Sequence, residues 1–582
     1  MGETLERRLE RLELLYEVGI ALSAEDDKDR LVERILLEAK TLCNADGGTL
    51  YLRTEDNELR FAIMRTDSLG IALGGTTGKV IELPPLPMVD PSTGEPNEAN
   101  IATCAAIRKQ SFNVPDAYDA TGFDFSGTKK FDERAGYRSK SFLTIPMLNH
   151  QDRVIGVLQL LNAQDEETGE VVPFEEEEQR IVEALASQAA VALDNQLLLE
   201  GQKALLEAFI QMIAAAIDSK SPYTGAHCER VPILTLMLAQ AAVAADEGPF
   251  AEFTLTEEEW YELKIAAWLH DCGKVTTPVH VMDKATKLET IFDRIEIVRA
   301  RFEVLKRDAK IRMLEAQAEG DEQAKPRFQR EVHALEEDLD FIEKANIGSE
   351  FLSDEAKERI RAIGARQYVQ GPLKRGLLAE DEIENLCISR GTLTEEERLI
   401  INGHMVQTIQ MLEALPFPRN LRRVPEYAGG HHEKMDAKGY PRGMAAGDMS
   451  VPARIMAIAD VFEALTAQDR PYKKGKTLSE SMRILSFMKR DNHLDPDLLD
   501  LFVRSGVYQS YAEKYLPDSL IDEVDEDAIL TTTPKDYEPL DEATRVKRKT
   551  GFLPEYEPLR RSVMGETRSM NEPDLPQLTP KG

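Results

Sequence analysis

Five of the nine histidines in this 582-residue chain fall in four short clusters: His227, His270-Asp271, His404 and His431-His432. Asp460 follows, alone in the apolar run from Ile455 to Phe462. Imidazole and carboxylate are common ligands of first-row divalent metals, and the set is large enough for two adjacent ions. The spacings are too long for a zinc finger and suit ligands delivered by several helices. A carboxylate amid apolar residues costs on the order of a few kcal/mol unless paired or metal-bound. Ligation therefore accounts for Asp460, and a salt bridge to an arginine is the structural alternative. Scattered structural histidines would also give such a count, but HD and HHE pairs beside Gly, Lys and Pro are a poor match to chance. The chemistry implied is metal-dependent hydrolysis.

Thr256-Glu257-Glu258-Glu259 has the pattern of a capping box, and Trp260, Leu263 and Ala267 follow at helical spacing. This predicts a helix that ends at His270-Asp271 and stops on Cys272-Gly273-Lys274. A His and an Asp adjacent at a helix end can face one cleft, with Asp271 bridging two ions. Lys274 is then within reach to neutralise a phosphate oxygen or protonate a leaving group; a partner for the helix dipole is its plainer role. A second capping box, Thr394 to Glu397, opens the helix expected to carry His404. The third cluster, His431-His432-Glu433 through Gly439-Tyr440-Pro441, turns on its Gly and Pro.

Composition narrows the function class. The chain has 71 Lys and Arg against 104 Asp and Glu, a net charge of −33. That balance argues against a nucleic-acid polymer or an anionic membrane as partner, so an anionic substrate needs a local positive site, which a metal cluster supplies. Five cysteines without a CxxC pair fit reduced thiols and a cytoplasmic location. The N-terminus lacks the apolar core of a signal peptide, and no apolar run reaches the ~20 residues of a membrane span. A soluble protein is expected.

Residues 5 to 22 read as a helix with Leu5, Leu9, Leu12 and Tyr16 on one stripe. Strand candidates follow at Thr49–Leu52, Ser141–Met147 and Val154–Leu161, the last two joined by a turn at Asn149 to Asp152. The acidic segment Glu175–Glu178 opens a long helix expected to reach about Asp218. The strand from Val154 to Asn162, the later Phe174 and this acidic helix start resemble a GAF domain. Cyclic-nucleotide-binding members carry Asn-Lys, then Phe, then Asp-Glu in this region; here Ala163 replaces the Lys and glutamates replace the Asp-Glu pair. The resemblance implies an α+β sensor fold with an unknown ligand. A cyclic nucleotide is one candidate, and a domain that only dimerises is an equal one. With His150 as its single histidine, this segment is expected to regulate and to contribute no catalytic group.

From about Ser219 to 512 the pattern is almost wholly helical. Apolar positions step by four and three at Ile291, Ile295, Val298, Phe302 and Leu305, and again at Phe328, Val332, Leu335, Leu339 and Ile342. That is the seam of an antiparallel helical hairpin. Beyond Asp518 the chain turns polar and Pro-rich; Leu520–Leu530 reads as one docking helix and a flexible tail is expected from about Thr531.

His270-Asp271-Cys272-Gly273-Lys274 and the cluster from His431 to Pro441 resemble the two signatures of the HD-GYP family, whose members hydrolyse cyclic di-GMP with non-haem iron or manganese. His227-Cys228-Glu229-Arg230, His404, Asp460 and Arg470-Pro471-Tyr472-Lys473 extend the likeness. It implies one metal on His227, His270, Asp271 and Asp460, and a second on Asp271, His404, His431 and His432. It also implies that Tyr440, Arg470 and Lys473 meet the substrate with Lys274. Two departures stand out: Ala437 where the motif has Gly, and Tyr223 where some trinuclear members have Glu, so two ions are expected.

The reading is an α+β GAF-like domain followed by a mostly all-α HD-GYP domain with a helical-hairpin insertion. The expected divisions are an N-terminal helix (1–24), the sensor (25–195), a linker helix (178–218), the catalytic domain (205–515, insertion about 284–390) and a partly flexible extension (516–582). Expected partners are a cyclic dinucleotide, signalling proteins, and a second copy in a parallel homodimer joined along the N-terminal stripe and the long helix, with Ile181, Leu185 and Leu193 at the seam. Hydrolysis of cyclic di-GMP to pGpG, and onward to GMP, leads the functions considered; cyclic GMP-AMP as substrate, or a silent receptor, are the alternatives.

Overall fold

The computed structural model describes residues 15–220, 227–349, 351–467 and 475–563, without the side chains of 561–563. Leu5, Leu9 and Leu12 of the N-terminal stripe, and Tyr223, Arg470 and Lys473, lie outside the described residues. The chain forms two compact units, Met1–Leu206 and Glu207–Gly582.

The first unit is built on an antiparallel sheet. Its strands are β1 (Ala45–Arg53), β2 (Glu58–Thr66), β3 (Ile71–Gly74), β4 (Leu86–Pro87), β5 (Phe112–Val114), β6 (Phe142–Leu148), β7 (Val154–Gln164) and β8 (Val171–Val172). The order is β3-β2-β1-β7-β6-β5, with β4 beside β2 and β8 beside β7. The turn expected at Asn149–Asp152 joins β6 to β7 and is closed by Asn149 N–H donating to the Arg153 carbonyl at 3.0 Å. One sheet face buries Leu50, Leu52, Leu158 and Leu160 against Leu31, Ile35 and Ala39 of the Lys28–Leu42 helix and Leu185, Ala189 and Leu193 of the long helix. The other face packs Tyr51, Leu59 and Val157 on the Ile101–Arg108 helix. The alternation of a two-sided strand appears at Leu50, Tyr51 and Leu52.

The residues that carried the sensor resemblance serve this fold. Asn162 sits in the left-handed region at φ 53°. Its side-chain oxygen accepts from Lys140 N–H at 2.7 Å, and its NH2 donates to Tyr137 Oη and the Arg138 carbonyl, each at 2.8 Å. Phe174 is buried in the core.

The long helix runs Glu176–Lys220, two residues beyond expectation. Leu185 and Leu193, expected to face a second copy, are instead fully buried in their own unit, and Ile181 packs on the same core. The register that serves the sheet points these residues inward.

In the second unit, the hairpin is formed by helices Ile295–Ala318 and Ala324–Ile347, which enclose a separate apolar cluster with Val298, Phe302, Leu335, Ile342 and Ile360. Ile291 departs from the expected seam: it is 92% exposed, because the helix begins four residues later. A two-stranded ribbon, Gln367–Gln370 with Leu373–Gly376, was not legible in the sequence; its residues are mostly exposed and lack alternation. At the root of this segment Lys284 Nζ meets Glu397 Oε2 at 2.7 Å, which ties it to the Glu395–Asn402 helix.

The main core of this unit gathers Val231, Leu234 and Leu238, Leu263 and Ala267, Ile455, Ile458 and Phe462, and Leu498 and Phe502. The expected tail from Thr531 is a further departure. Through Leu559 the chain is held: Arg545 pairs with Asp448, Arg548 donates to the Ala437 and Gly443 carbonyls, and Leu553 N–H donates to the Pro441 carbonyl at 2.8 Å. Polar composition concealed this because the contacts are themselves polar and run to backbone carbonyls. No helix among the described residues is long and apolar enough to cross a membrane.

Candidate metal centre

The helix Glu257–Leu269 starts as its sequence demands, with Thr256 Oγ1 accepting from Glu259 N–H at 3.2 Å and the Glu259 carboxylate accepting from Thr256 N–H at 3.0 Å. It delivers His270 at its C-cap and Asp271 immediately after, both buried. His227 opens the next-neighbour helix His227–Val243, and Asp460 lies within Val451–Thr466. His404 departs slightly from expectation. The second capping-box helix ends at Asn402, and His404 is the first residue of the following helix, His404–Ala414.

Two glycines bring these pieces together. A Cβ on Gly273 would lie 2.0 Å from the His404 carbonyl oxygen and 2.6 Å from Thr408 N, so only glycine lets the His404 helix dock on the His270-Asp271 turn. Gly273 N–H also donates to Thr408 Oγ1 at 2.9 Å. A Cβ on Gly439 would lie 2.4 Å from Glu433 Cα and from Lys434 N, so the turn before Tyr440 must fold flat on the HHE segment.

Two buried sets of four ligands result, His227, His270, Asp271 and Asp460, and Asp271, His404, His431 and His432; within each, one ligand atom from every residue lies within 4.8 Å of the others. Asp271 belongs to both, presenting Oδ2 to His227 Nε2 (3.4 Å) and His270 Nε2 (3.2 Å), and Oδ1 to His404 Nε2 (3.2 Å). Asp460 Oδ1 lies 3.3 Å from His227 Nε2.

The imidazole orientations test whether a cation fits. His270 Nδ1 lies 2.7 Å from the Ala267 carbonyl, His404 Nδ1 2.6 Å from Ile401, and His431 Nδ1 2.7 Å from Ala428. Nδ1 must carry the proton to satisfy each carbonyl, which leaves Nε2 a bare acceptor. His227 Nδ1 meets Glu463 in the same way. The Nε2 atoms of all four are buried with no hydrogen-bond partner. Imidazole Nε2 atoms thus converge on carboxylate oxygens, an arrangement that a bound cation, or a proton added to a ring, relieves. The residues fit divalent cations.

The electrostatics agree. Burial alone would raise the Asp271 carboxyl, yet Lys274 and His270 outweigh it and hold it well below the usual range. Asp460 is likewise held low, against burial, by His227 and His431. His227 is held well above its ordinary value, against burial, by Asp271, Asp460 and Glu463, so the first set is a strongly negative pocket. Burial with neighbouring imidazoles drives His431 down to about 4 and holds His432 well below its ordinary value, so both are neutral acceptors. Lys274 pairs with Asp271 and keeps its proton, because Asp271 and Asp460 outweigh burial.

Glu463 was missed from sequence. Its carboxylate receives both His227 Nδ1 and Arg230 Nε, the latter at 2.6 Å, and so fixes the His227 ring. The available signal was a second carboxylate, three residues beyond Asp460 in one apolar helix. Glu463→Gln is expected to weaken metal binding about 10- to 100-fold. Chelator competition checks this, and unchanged affinity would remove Glu463 from the site's support.

Glu433 also has a role other than ligation: it accepts from the backbone N–H groups of Arg442 (2.7 Å), Gly443 (3.2 Å) and Met444 (2.9 Å). Burial nonetheless pushes its carboxyl up to about 7. Tyr440 stacks on His432 with ring centroids 4.9 Å apart and planes 17° from parallel. Ala437 has φ 63°, a conformation that costs an L-residue about 1–2 kcal/mol. Ala437→Gly should therefore raise stability by about 1 kcal/mol in urea unfolding while turnover stays within about twofold. A rise in turnover by orders of magnitude would mean that Ala437 cripples the natural site.

Comparison with known proteins gives two family matches. Residues 27–193 match the GAF domain, and residues 375–498 match an HD domain. The HD match starts inside the interval expected to be inserted and does not reach His227, His270 or Asp271, which the hairpin separates from it in sequence. Among similar curated proteins, a 3'3'-cGAMP-specific phosphodiesterase of Vibrio cholerae is 38% identical over 136 residues, covering 23% of this chain and 30% of that protein. A cyclic di-GMP phosphodiesterase of Pseudomonas aeruginosa is 35% identical over 20% of this chain and 28% of its own length. One from Thermotoga maritima is 31% identical over 25% and 36%. The chain thus spans about a third or less of the relatives it matches. It carries a GAF domain followed, in a mostly helical region, by an HD domain.

Proposed function

We propose that this chain is a sensor-regulated, HD-GYP-type phosphodiesterase that opens a cyclic dinucleotide, cyclic di-GMP first among them. The observation that carries this reading is the pair of four-ligand sets sharing Asp271, with unsatisfied imidazole acceptors aimed at shared carboxylates. The phosphodiesterase names of the relatives support it. Two divalent ions, iron or manganese, would polarise the phosphodiester and lower the pKa of an attacking water. On the protein side, Asp271 orients both sets, Glu463 fixes His227, and Lys274 holds a proton beside the centre for the leaving oxygen. Tyr440, stacked on His432, is proposed to line the pocket at its rim. Arg470 and Lys473 remain proposed phosphate or guanine contacts on the strength of the motif alone.

Anaerobically purified protein, analysed for metal and incubated with cyclic di-GMP and with 3'3'-cGAMP in parallel, tests the reading by product chromatography. Conversion of cyclic di-GMP to pGpG or GMP supports it. Preference for 3'3'-cGAMP, the substrate in one relative's name, shifts the substrate, because metal ions read phosphate and not base. Tight binding without turnover replaces the enzyme by a receptor.

We also propose a parallel homodimer, with a different stripe from the one expected. Leu199, Leu206 and Ile213 recur every seven residues on the long helix, as do Leu198, Leu205 and Met212, and each is more than a third exposed. A repeat of seven is the seam of a coiled coil. Light scattering at micromolar concentration is expected to give twice the chain mass, and Leu206→Glu to shift it toward monomer. A monomeric parent protein would contradict this.

A further inference from the structure

The segment from Asp541 to Leu559 does more than cover the loop from Glu433 to Met444. Tyr440 lies between two rings: His432 on one side, and Tyr556 on the other at 5.9 Å between centroids and 21° between planes. Tyr556 is itself buried, and its Oη accepts from Asn402 Nδ2 at 3.1 Å, two residues before His404. Tyr556 is held in place by its own backbone, donating to the Leu553 carbonyl at 2.9 Å, while Leu553 N–H donates to Pro441. One residue of the C-terminal segment therefore touches both the helix end before His404 and the loop after His432.

His432 needs this support more than the other ligands. His270, His404 and His431 are each locked by a backbone carbonyl on Nδ1, and His227 by Glu463. The orienting contact that the structure gives His432 from outside the cluster is the face of Tyr440. A ring free to turn on one side would lose the ordering that stacking supplies.

We propose that Tyr556 is a positioning residue: by clamping Tyr440 against His432 it sets the second metal set. The proposal rests on the metal-centre reading above. Its readout is the affinity of each of two Mn2+ ions for the full-length protein, measured by competition with a chelator, with kcat and KM alongside. Tyr556→Leu, which keeps apolar bulk without a flat ring, is expected to weaken one ion about tenfold or more and leave the other within twofold. Tyr556→Phe, which gives up only the Asn402 hydrogen bond, should restore that ion to within threefold. In a His432→Ala background Tyr556→Leu should add nothing further.

Equal affinity in Tyr556→Leu and the parent protein would overturn the assignment, as would equal weakening of both ions, the mark of a loop that has merely come apart. A parent protein that binds fewer than two ions would also overturn it. A parent that binds two ions yet hydrolyses no cyclic dinucleotide would sink the proposed function and leave the positioning role standing.

Discussion

Asp271→Ala is expected to abolish hydrolysis while the far-ultraviolet signal of the helices stays intact. Asp271 is the one group shared by both ligand sets, with Oδ2 turned to His227 and His270 and Oδ1 to His404. Its removal leaves each set with three ligands and deprives Lys274 of its partner. Lost charge stabilisation at a phosphodiester amounts to several kcal/mol, on the order of a thousandfold or more in rate at about 1.36 kcal/mol per tenfold. Metal content should fall from two ions to at most one. His270→Ala should act in the same direction, with loss centred on the first set. Turnover retained in an Asp271→Ala protein of measured metal content would end the assignment.

Gly273→Ala should be nearly as damaging, although its side chain would touch no metal. The new methyl group would stand 2.0 Å from the His404 carbonyl oxygen, a backbone atom that cannot swing aside. Relief requires the His404 helix to move on the order of 1 Å, which destabilises a packed core by about 1–3 kcal/mol. A misplacement of that size can cost ~100-fold in rate. The expected signature is lower thermal stability together with loss of the second ion before the first. Activity within threefold of the parent would show that the docking of these two elements does not set the site.

The sequence by itself determined most of the elements and the ligand types. Both capping boxes formed as written, because a Thr side chain and a Glu three residues later satisfy each other's backbone donors locally. The two-helix hairpin followed from apolar steps of four and three, and the strands at Val154 and Phe142 from turn residues between them. The candidate metal ligands were legible because histidine is scarce in this chain and four of these five stand next to Asp, Gly or another His.

The tertiary structure decided what local pattern cannot carry. Leu185 and Leu193 have the periodicity of a dimer seam and of a core alike; only the sheet packed against them shows that they are spent inside their own unit. Asn162 and Glu433 look like site residues, yet each uses its polar atoms to close a loop, a role set by backbone groups far from either in sequence or across a turn. The role of Glu463 was hidden because its partner His227 lies 236 residues away. Separation in sequence also hid Tyr556: a polar, Pro-rich segment reads as tail until the Tyr440 ring is beside it. Composition and spacing report what a residue is able to do, whereas its employment depends on which group the fold brings opposite it.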